Sequence, residues 1–241
     1  LHWPFLWESP IKNLIWLFSS ADEYLINIKV LFNGNYFNSN LLPFSYIPIW
    51  ILISTPVIHL IFFIIGFFYM SKRSLGRFIN IQEKSSYSDF WRGGKERKDF
   101  YILLNFLINL FFLIFISKTF YNGWRHVYFL NVFLVYFSTF GFYLVYNNAK
   151  KIKKRSILFI TALMMFFLLV GRMVIYHPYQ NIYFNFLVTD KIKKEFDIDY
   201  NGLSGVKFLE VILRNDKNEK INISVASFLP LERSLALLKE N

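Results

Sequence analysis

Four long apolar runs constrain the fold of this chain more than any other feature of its sequence. Each run approaches the roughly 20 residues with which an α-helix crosses the hydrocarbon core of a bilayer. They are Ile47 to Met70, Phe100 to Ser117, Val127 to Tyr146 and Ile157 to Ile175. Arg172 is the only fully charged residue in the four runs, although Asn105 and Asn109 interrupt the second. The sequence therefore predicts an α-helical integral membrane protein with four transmembrane helices.

Lysine and arginine predict the orientation of these helices, because short cytoplasmic loops retain positive charge. The loop from Ser71 to Asp99 has eight basic and four acidic residues, and Asn147 to Ser156 has five basic residues and none acidic. Both loops are predicted to be cytoplasmic. Residues 1–46, the loop at Tyr121 to His126 and the chain from Tyr176 onward are then external.

The net charge of +11 does not require a nucleic-acid partner. The two basic loops supply most of it, whereas the tail from Tyr176 has nine basic and nine acidic residues. We attribute the basic balance to topology and to attraction for anionic lipids of the inner leaflet, so membrane lipids are the expected partners. The absence of cysteine excludes disulfides, thiol nucleophiles and cysteine-bound metals.

Three regions divide the chain: an external or interfacial segment (1–46), the transmembrane region (47–175) and an external tail (176–241). In the first region, Ser9 followed by Pro10 predicts the start of an amphipathic helix. Trp3, Trp7 and Trp16 along this segment favour a position at the membrane interface.

The tail is predicted to be a short α/β unit that is cut short. Leu203 to Leu213 and Leu229 to Lys239 have helical periodicity, and Ile221 to Ala226 alternates as a strand does. The chain ends at Asn241 before a second strand, and it begins at Leu1 rather than methionine. We therefore expect it to be a piece of a longer protein.

Polar and aromatic residues collect at the predicted external ends of the spans. Arginine offers forked donors for phosphate, histidine and tyrosine add donors, and an aromatic ring covers the apolar face of a sugar. The same residue types also serve as interfacial anchors, and Arg172 can extend from its span to the headgroups. Both interpretations stay open. With Lys118 beside them, the candidate substrate-binding residues are Tyr121, Asn122, Trp124, Arg125, His126, Arg172, His177, Tyr179, Gln180 and Asn181.

Sequence patterns of soluble enzymes do not occur in this chain. It has no phosphate-binding glycine loop, no histidine pair at metal-binding spacing and no Gly-x-Ser-x-Gly elbow, so neither a metal nor a cofactor is predicted. Glu8, Asp22 and Glu23 are the external carboxylates before the tail, and surface charge explains them more simply than general-base catalysis. His59, inside the first span, is expected to be neutral and bonded to a neighbouring helix.

Several short motifs resemble those of one family of bacterial membrane glycosyltransferases. They are Trp3-Pro4, Trp7, Pro10, Leu31-Phe32-Asn33-Gly34, Leu42 to Tyr46, Ser54-Thr55-Pro56, Tyr121 to His126 and His177 to Asn185. On these motifs the chain resembles part of a GT-C superfamily enzyme. The branch is that of polyprenyl-phosphate-mannose protein mannosyltransferases and lipid A aminoarabinose transferases. Asn122 and Asn201 depart from the pattern, at positions where the resemblance leads us to expect Asp and Trp.

The resemblance implies inverting transfer of a sugar from a polyprenyl-phosphate carrier to an acceptor on the outer face of the bacterial plasma membrane. It also implies that the catalytic acidic residue lies in an external loop upstream of Leu1, so the present chain is expected to be inactive alone. The alternative is a non-catalytic membrane protein, such as a transporter fragment or a scaffold. Transporters usually have broken spans or charges paired near the midplane. Pro56 and His59 are the only residues of the sequence that suggest such features.

Overall fold

Helices dominate the fold of this chain. The computed structural model describes residues 5–19, 27–79, 90–115, 119–180, 183–199, 202–216, 218, 220–224 and 231–238. The helices are α1 (Phe5–Glu8), α2 (Pro10–Ser19), α3 (Tyr46–Ser54), α4 (Val57–Ile79), α5 (Gly94–Phe115), α6 (Leu130–Asn148), α7 (Ile152–Ile175), α8 (Asp190–Lys193), α9 (Gly205–Asn215) and α10 (Leu231–Ala236). Within the described residues, one antiparallel sheet pairs β1 (Lys29–Phe32) with β2 (Asn35–Asn38).

Three of these helices, α4, α6 and α7, are long and apolar enough to cross a membrane. They account for the third and fourth predicted spans and for most of the first. The second predicted span falls in α5, which is not among these three helices. Five charged residues, Lys95 to Asp99, lie in the first two turns of α5, and residues 116–118, between the end of α5 and the next described segment, lie outside the described part of the chain. Asn105 and Asn109 also lie within α5, where the Asn109 amide donates to the Asn105 carbonyl at 2.8 Å.

Pro56 divides the first predicted span into α3 and α4. Proline has no N–H to donate to the carbonyl of Leu52, and its ring keeps Thr55 extended (φ −97°, ψ 138°). Asn185, from the segment after α7, bonds to the carbonyls at this break. Its side-chain amide donates to the carbonyls of Leu52 (2.6 Å) and Thr55 (3.0 Å). Its backbone N–H donates to the carbonyl of Ile53 (2.8 Å). The tail is thereby fixed to the α3–α4 junction.

Two glycines allow α4 and α6 to pack backbone against backbone. A Cβ atom on Gly66 would lie 2.1 Å from the Phe137 carbonyl oxygen, and one on Gly141 would lie 2.0 Å from the Phe62 carbonyl oxygen. Small residues have this use at helix interfaces in membranes, where close backbone approach replaces the hydrophobic driving force. In contrast, α7 has no buried residue.

A polar network joins α4, α5 and α6 at the end of the bundle that carries the basic loops. Asp99, only 8% exposed, accepts hydrogen bonds from the Arg73 guanidinium (2.5 Å) and from the Tyr136 hydroxyl (2.5 Å). Arg77 forms an ion pair with Glu96 at 3.2 Å. Part of the positive charge of the first basic loop is therefore neutralised within the protein, which the residue counts alone do not reveal.

The N-terminal region contains one predicted helix and one unpredicted hairpin. The predicted helix is α2, which begins at Pro10, and the Ser9 carbonyl accepts a hydrogen bond from the N–H of Asn13 (2.8 Å). Asn33 and Gly34 turn the chain from β1 into β2 with positive φ angles of 51° and 75°. Asn-Gly suits this two-residue turn, because both central residues need the left-handed region.

The described part of the tail contains the two predicted helices and no strand. The first helix, α9, begins and ends two residues later than expected, and α10 covers the middle of the second. Residues 221–224 form no strand, and 225 and 226 lie outside the described residues. The α/β unit is therefore not found in the described part of the tail.

Candidate functional site

A cavity of about 470 Å³ opens where the α3–α4 junction, the loop before α6 and the chain after α7 meet. We call it the polar cavity. Its lining residues come from the transmembrane region and the tail: Trp50, Ser54, Thr55, Pro56, His59, Gly123, Trp124, Arg125, Tyr128, Asn131, Val135, Leu169, Gln180, Tyr183, Phe184, Asp197 and Ile198.

Two hydrogen bonds hold the loop before α6 against α3. The N–H of Gly123 donates to the Tyr46 hydroxyl (3.2 Å), and the indole N–H of Trp124 donates to Ser54 Oγ (2.8 Å). Asn122 and Gly123 both have positive φ angles, of 56° and 70°. Asparagine tolerates this left-handed conformation better than most residues do, which gives Asn122 a backbone role in the loop.

Arg125 supplies the positive charge of the polar cavity. Its exposed guanidinium lies over the Tyr121 ring, with Cζ 5.5 Å from the ring centroid, and it forms no ion pair within the described part of the chain. His126 packs against the same ring, with 4.5 Å between centroids. Partial burial and the charge of Arg125 lower the pKa of His126, so the imidazole is neutral at physiological pH. His126 is therefore not a second cation.

The segment after α7 brings two further polar residues, Gln180 and Tyr183, to the cavity. The side-chain amide of Gln180 lies 2.8 Å from His177 Nδ1 and donates to the Met173 carbonyl at 3.2 Å. Burial raises the pKa of Tyr183, against the smaller opposite effect of the positive charge of Arg172. His177 thus contacts a lining residue, and Arg172 acts on one through its charge, but neither lines the cavity itself.

The structure separates the predicted site residues into three groups. Trp124, Arg125 and Gln180 line the polar cavity. Six lie outside its lining: Tyr121, Asn122, His126, Arg172, His177 and Tyr179. Lys118 and Asn181 lie outside the described residues, as do Asp22 and Glu23.

Asp197 is a carboxylate in the polar cavity that the sequence analysis did not identify. Its Oδ2 accepts a hydrogen bond from the N–H of Leu31 (3.1 Å), and its own N–H donates to the Leu31 carbonyl (3.3 Å). Burial raises the pKa of Asp197, and the hydrogen bond from Leu31 acts in the opposite direction. Asp197 and Leu31 are 166 positions apart, so no local pattern indicates that they meet.

Two other lining residues were missed or interpreted differently from the sequence. Trp50 is buried, and its indole N–H has no hydrogen-bond partner in the described residues. His59 lines the cavity, and the expected hydrogen bond from its ring to a neighbouring helix is not present in the described part of the chain. Instead, the backbone carbonyl of His59 accepts from the Ser138 hydroxyl at 2.8 Å.

A second cavity, of about 340 Å³, adjoins the polar cavity between α4, α6 and α7. We call it the apolar cavity. The two cavities share Pro56, His59, Val135 and Leu169 in their linings. Beyond these shared residues the lining is mainly aliphatic and aromatic: Ile58, Phe62, Ser138, Thr139, Phe142, Phe159, Ala162, Leu163, Met165 and Phe166. A polar compartment with Arg125 and Asp197 and an apolar one therefore lie on either side of the same four residues.

Comparison with known proteins returned no match to this chain among protein-family models, curated proteins or solved structures.

Proposed function

We propose that this chain is the donor-binding part of a membrane glycosyltransferase that uses a sugar linked to a polyprenyl phosphate. The observation that carries the proposal is that the polar and apolar cavities are neighbours, with Pro56, His59, Val135 and Leu169 lining both. A lipid-linked sugar has an anionic head beside a long hydrocarbon chain. The polar cavity matches the anionic head, and the neighbouring apolar cavity matches the hydrocarbon chain.

Arg125 supports a phosphate position in the polar cavity. Its guanidinium is permanently charged, has no carboxylate partner among the described residues and presents forked donors that suit phosphate oxygens. Trp50 and Trp124 line the same cavity and provide aromatic rings of the kind that covers the apolar face of a sugar. The polar cavity therefore offers a glycosyl phosphate both a guanidinium for its phosphate and aromatic rings for its sugar.

The apolar cavity supports a position for the hydrocarbon chain. It lies between three helices that are long and apolar enough to cross a membrane, so its walls are at the depth of the lipid acyl chains if these helices span. An isoprenoid chain entering between α6 and α7 would exchange lipid contacts for contacts with Phe142, Phe159 and Phe166.

We also propose that the chain crosses the membrane four times, with a defined orientation. Asp99, in the first turns of α5, bonds to Arg73 near the basic end of α4, whereas the N–H of Phe120 donates to the Ser39 carbonyl at the end of β2 (3.1 Å). The chain from Asp99 to Phe120 thus passes from one end of the bundle to the other. We expect α5 to cross the membrane as well, which places the polar cavity at the external face and both basic loops in the cytoplasm.

A second candidate function, binding or transport of an amphiphile without transfer, is favoured by the helix break at Pro56. Interrupted helices whose junctions line a cavity are typical of transporter binding sites. The two functions differ in one reaction: transfer breaks the bond between the sugar carbon and phosphate and forms a bond to an acceptor oxygen. Release of polyprenyl phosphate by the full-length protein identifies transfer, and movement of an intact lipid-linked sugar between leaflets identifies transport.

Replacement of Arg125 tests the proposed phosphate position. Arg125→Ala is expected to weaken binding of polyprenyl phosphate by about 1.5 to 3 kcal/mol, the range for hydrogen bonds to charged groups. Lysine keeps the charge and loses the fork, so Arg125→Lys should restore only part of that loss. The measurement is equilibrium binding to purified protein in nanodiscs.

Arg97→Ala serves as the matched control, because Arg97 is an exposed arginine in α5 near the basic end of the bundle. It should bind polyprenyl phosphate as the wild type does. Wild-type affinity in Arg125→Ala, with both variants equally folded, would contradict the phosphate position. An interfacial anchor would tolerate lysine fully and leave the affinity unchanged.

A further inference from the structure

Asp197 occupies a fixed position in the wall of the polar cavity. The segment that carries it runs beside the hairpin, where the Glu195 carbonyl accepts from the N–H of Gly34 (3.1 Å) and Asp197 exchanges two hydrogen bonds with Leu31. Phe196 is 3% exposed and packs edge-on against Trp50, with 5.3 Å between ring centroids. This packing and these hydrogen bonds hold the carboxylate in place without a ligand.

Within the described residues, one carboxylate oxygen of Asp197 accepts a hydrogen bond. Oδ2 accepts from Leu31, whereas Oδ1 has no hydrogen-bond partner among the described residues. The side chain lines the same cavity as Trp50 and Trp124. A carboxylate accepts hydrogen bonds and cannot donate them when ionised, and a sugar offers hydroxyl donors around an apolar ring face. A cavity whose lining includes a carboxylate and two tryptophans is thus suited to a sugar.

Asp197 and Arg125 reach the polar cavity from different parts of the chain. Arg125 precedes α6 and carries a positive charge, whereas Asp197 follows α8 and carries a negative one. A phosphate beside Asp197 would be repelled, and a phosphate beside Arg125 would be attracted. The charges therefore distinguish the two ends of a glycosyl phosphate: its anionic group is favoured near Arg125, and its hydroxyls are favoured near Asp197.

We propose that Asp197 is the sugar-recognition residue of the polar cavity and that it accepts hydrogen bonds from hydroxyl groups of the lipid-linked sugar. This assignment rests on the proposed function, because it concerns the sugar of the same donor. It makes Asp197 a binding residue for the glycosyl group and leaves the phosphate to Arg125.

The test compares polyprenyl phosphate with its glycosylated forms, using polyprenyl-phospho-mannose, polyprenyl-phospho-glucose and polyprenyl-phospho-aminoarabinose as probes. The wild-type chain is expected to bind at least one glycosylated form more tightly than polyprenyl phosphate. Asp197→Asn keeps an oxygen for the N–H of Leu31 and places an amide where the free carboxylate oxygen was. It should lose about tenfold in affinity for that glycosylated form, the scale of one charged hydrogen bond, and bind polyprenyl phosphate unchanged.

Asp199→Asn is the matched control. Asp199 is two residues away, accepts hydrogen bonds from the N–H groups of Leu203 (2.9 Å) and Ser204 (2.8 Å), and does not line the cavity. It should retain the preference for the glycosylated probe.

Each other outcome contradicts a distinct claim. If the wild type binds polyprenyl phosphate but gains no affinity from any of the three sugars, or if Asp197→Asn keeps the gain, the sugar-recognition role is overturned. If Asp197→Asn binds both polyprenyl phosphate and the glycosylated form more weakly, the residue stabilises the folded structure and does not recognise the sugar. If the wild type binds none of the probes, the proposed function itself fails.

Discussion

At the residue scale, the environment of the Asp197 carboxylate suits ligand binding and lowers the stability of the fold. Its carboxylate is half-buried and has one backbone N–H as its hydrogen-bond partner among the described residues, and burial raises its pKa. A charge in such a position lowers the stability of the empty protein, because removal from water disfavours the ionised form. A ligand that donates to the free oxygen would offset that effect. Residues that reduce stability in this way are common at functional sites.

The raised pKa of Asp197 predicts how folding stability depends on pH. A folded-state pKa above the unfolded value contributes stability that is complete below the ordinary aspartate pKa of about 3.9 and is lost as the pH rises through the folded value. Asp197→Asn removes that dependence. We therefore expect the variant to have a higher melting temperature than the wild type at pH 7.5 and to lose this advantage at about pH 3.5.

Thermal unfolding of the detergent-purified variants at the two pH values measures this effect. Asp199→Asn should show no such gain, because its carboxylate already accepts hydrogen bonds from two backbone N–H groups and from the Ser204 hydroxyl. A lower melting temperature for Asp197→Asn at pH 7.5 would show that its charge stabilises the fold.

At the level of elements, the contact between α4 and α6 depends on two glycines. Gly66→Ala and Gly141→Ala would each place a methyl group about 2 Å from a carbonyl oxygen of the facing helix, so the helices must separate. Overpacking of this kind typically lowers the free energy of unfolding by about 1 to 3 kcal/mol. Because the polar cavity lies at the end of this pair, both variants should also weaken binding of polyprenyl phosphate.

Gly76 and Gly171 provide the matched controls for this prediction. Both lie in long helices, and a Cβ atom on either meets nothing within 4 Å. Alanine there should leave stability unchanged or raise it slightly, since alanine favours helix over glycine by up to about 1 kcal/mol. Equal melting temperatures for Gly141→Ala and Gly171→Ala would contradict the close backbone contact.

The sequence predicted the elements whose cause is local. The apolar runs in α4, α6 and α7 are continuous, and Pro10 marks the start of α2 by its own chemistry. It did not predict that α3 and α4 would separate, although Pro56 was visible, because a proline in a long apolar run either bends or breaks the helix. The carbonyls left at the break are bonded by Asn185, which lies at least 130 positions away in the sequence.

The same distinction applies to the candidate site. Trp124, Arg125 and Gln180 were predicted from their position at helix ends, and they line the polar cavity. Asp197 and Trp50 were not, because their shared cavity forms only when the tail packs on the hairpin and on α3. Local patterns therefore indicated the basic part of the site, and tertiary contacts added the carboxylate.

At the scale of the whole molecule, long-range hydrogen bonds place the hairpin, the loop before α6 and the chain after α7 at one end of the bundle. Phe120 bonds to Ser39, Gly123 to Tyr46 and Asn185 to the α3–α4 junction. These contacts are compatible with an even number of crossings between the hairpin and the tail. If α5 did not cross, a membrane could not enclose α4, α6 and α7 while the hairpin and tail stayed on one side.

Cysteine labelling tests this topology, and the chain is well suited to it because it contains no cysteine of its own. Asn35→Cys, Asn148→Cys and Asn218→Cys replace exposed uncharged residues in β2, at the end of α6 and in the tail. With four crossings and cytoplasmic basic loops, an impermeant maleimide should label positions 35 and 218 in intact cells. Position 148 should react only after permeabilisation. Labelling of position 148 from outside, with protection of position 218, would instead indicate three crossings and would separate Arg125 from the external face where the proposed donor binds.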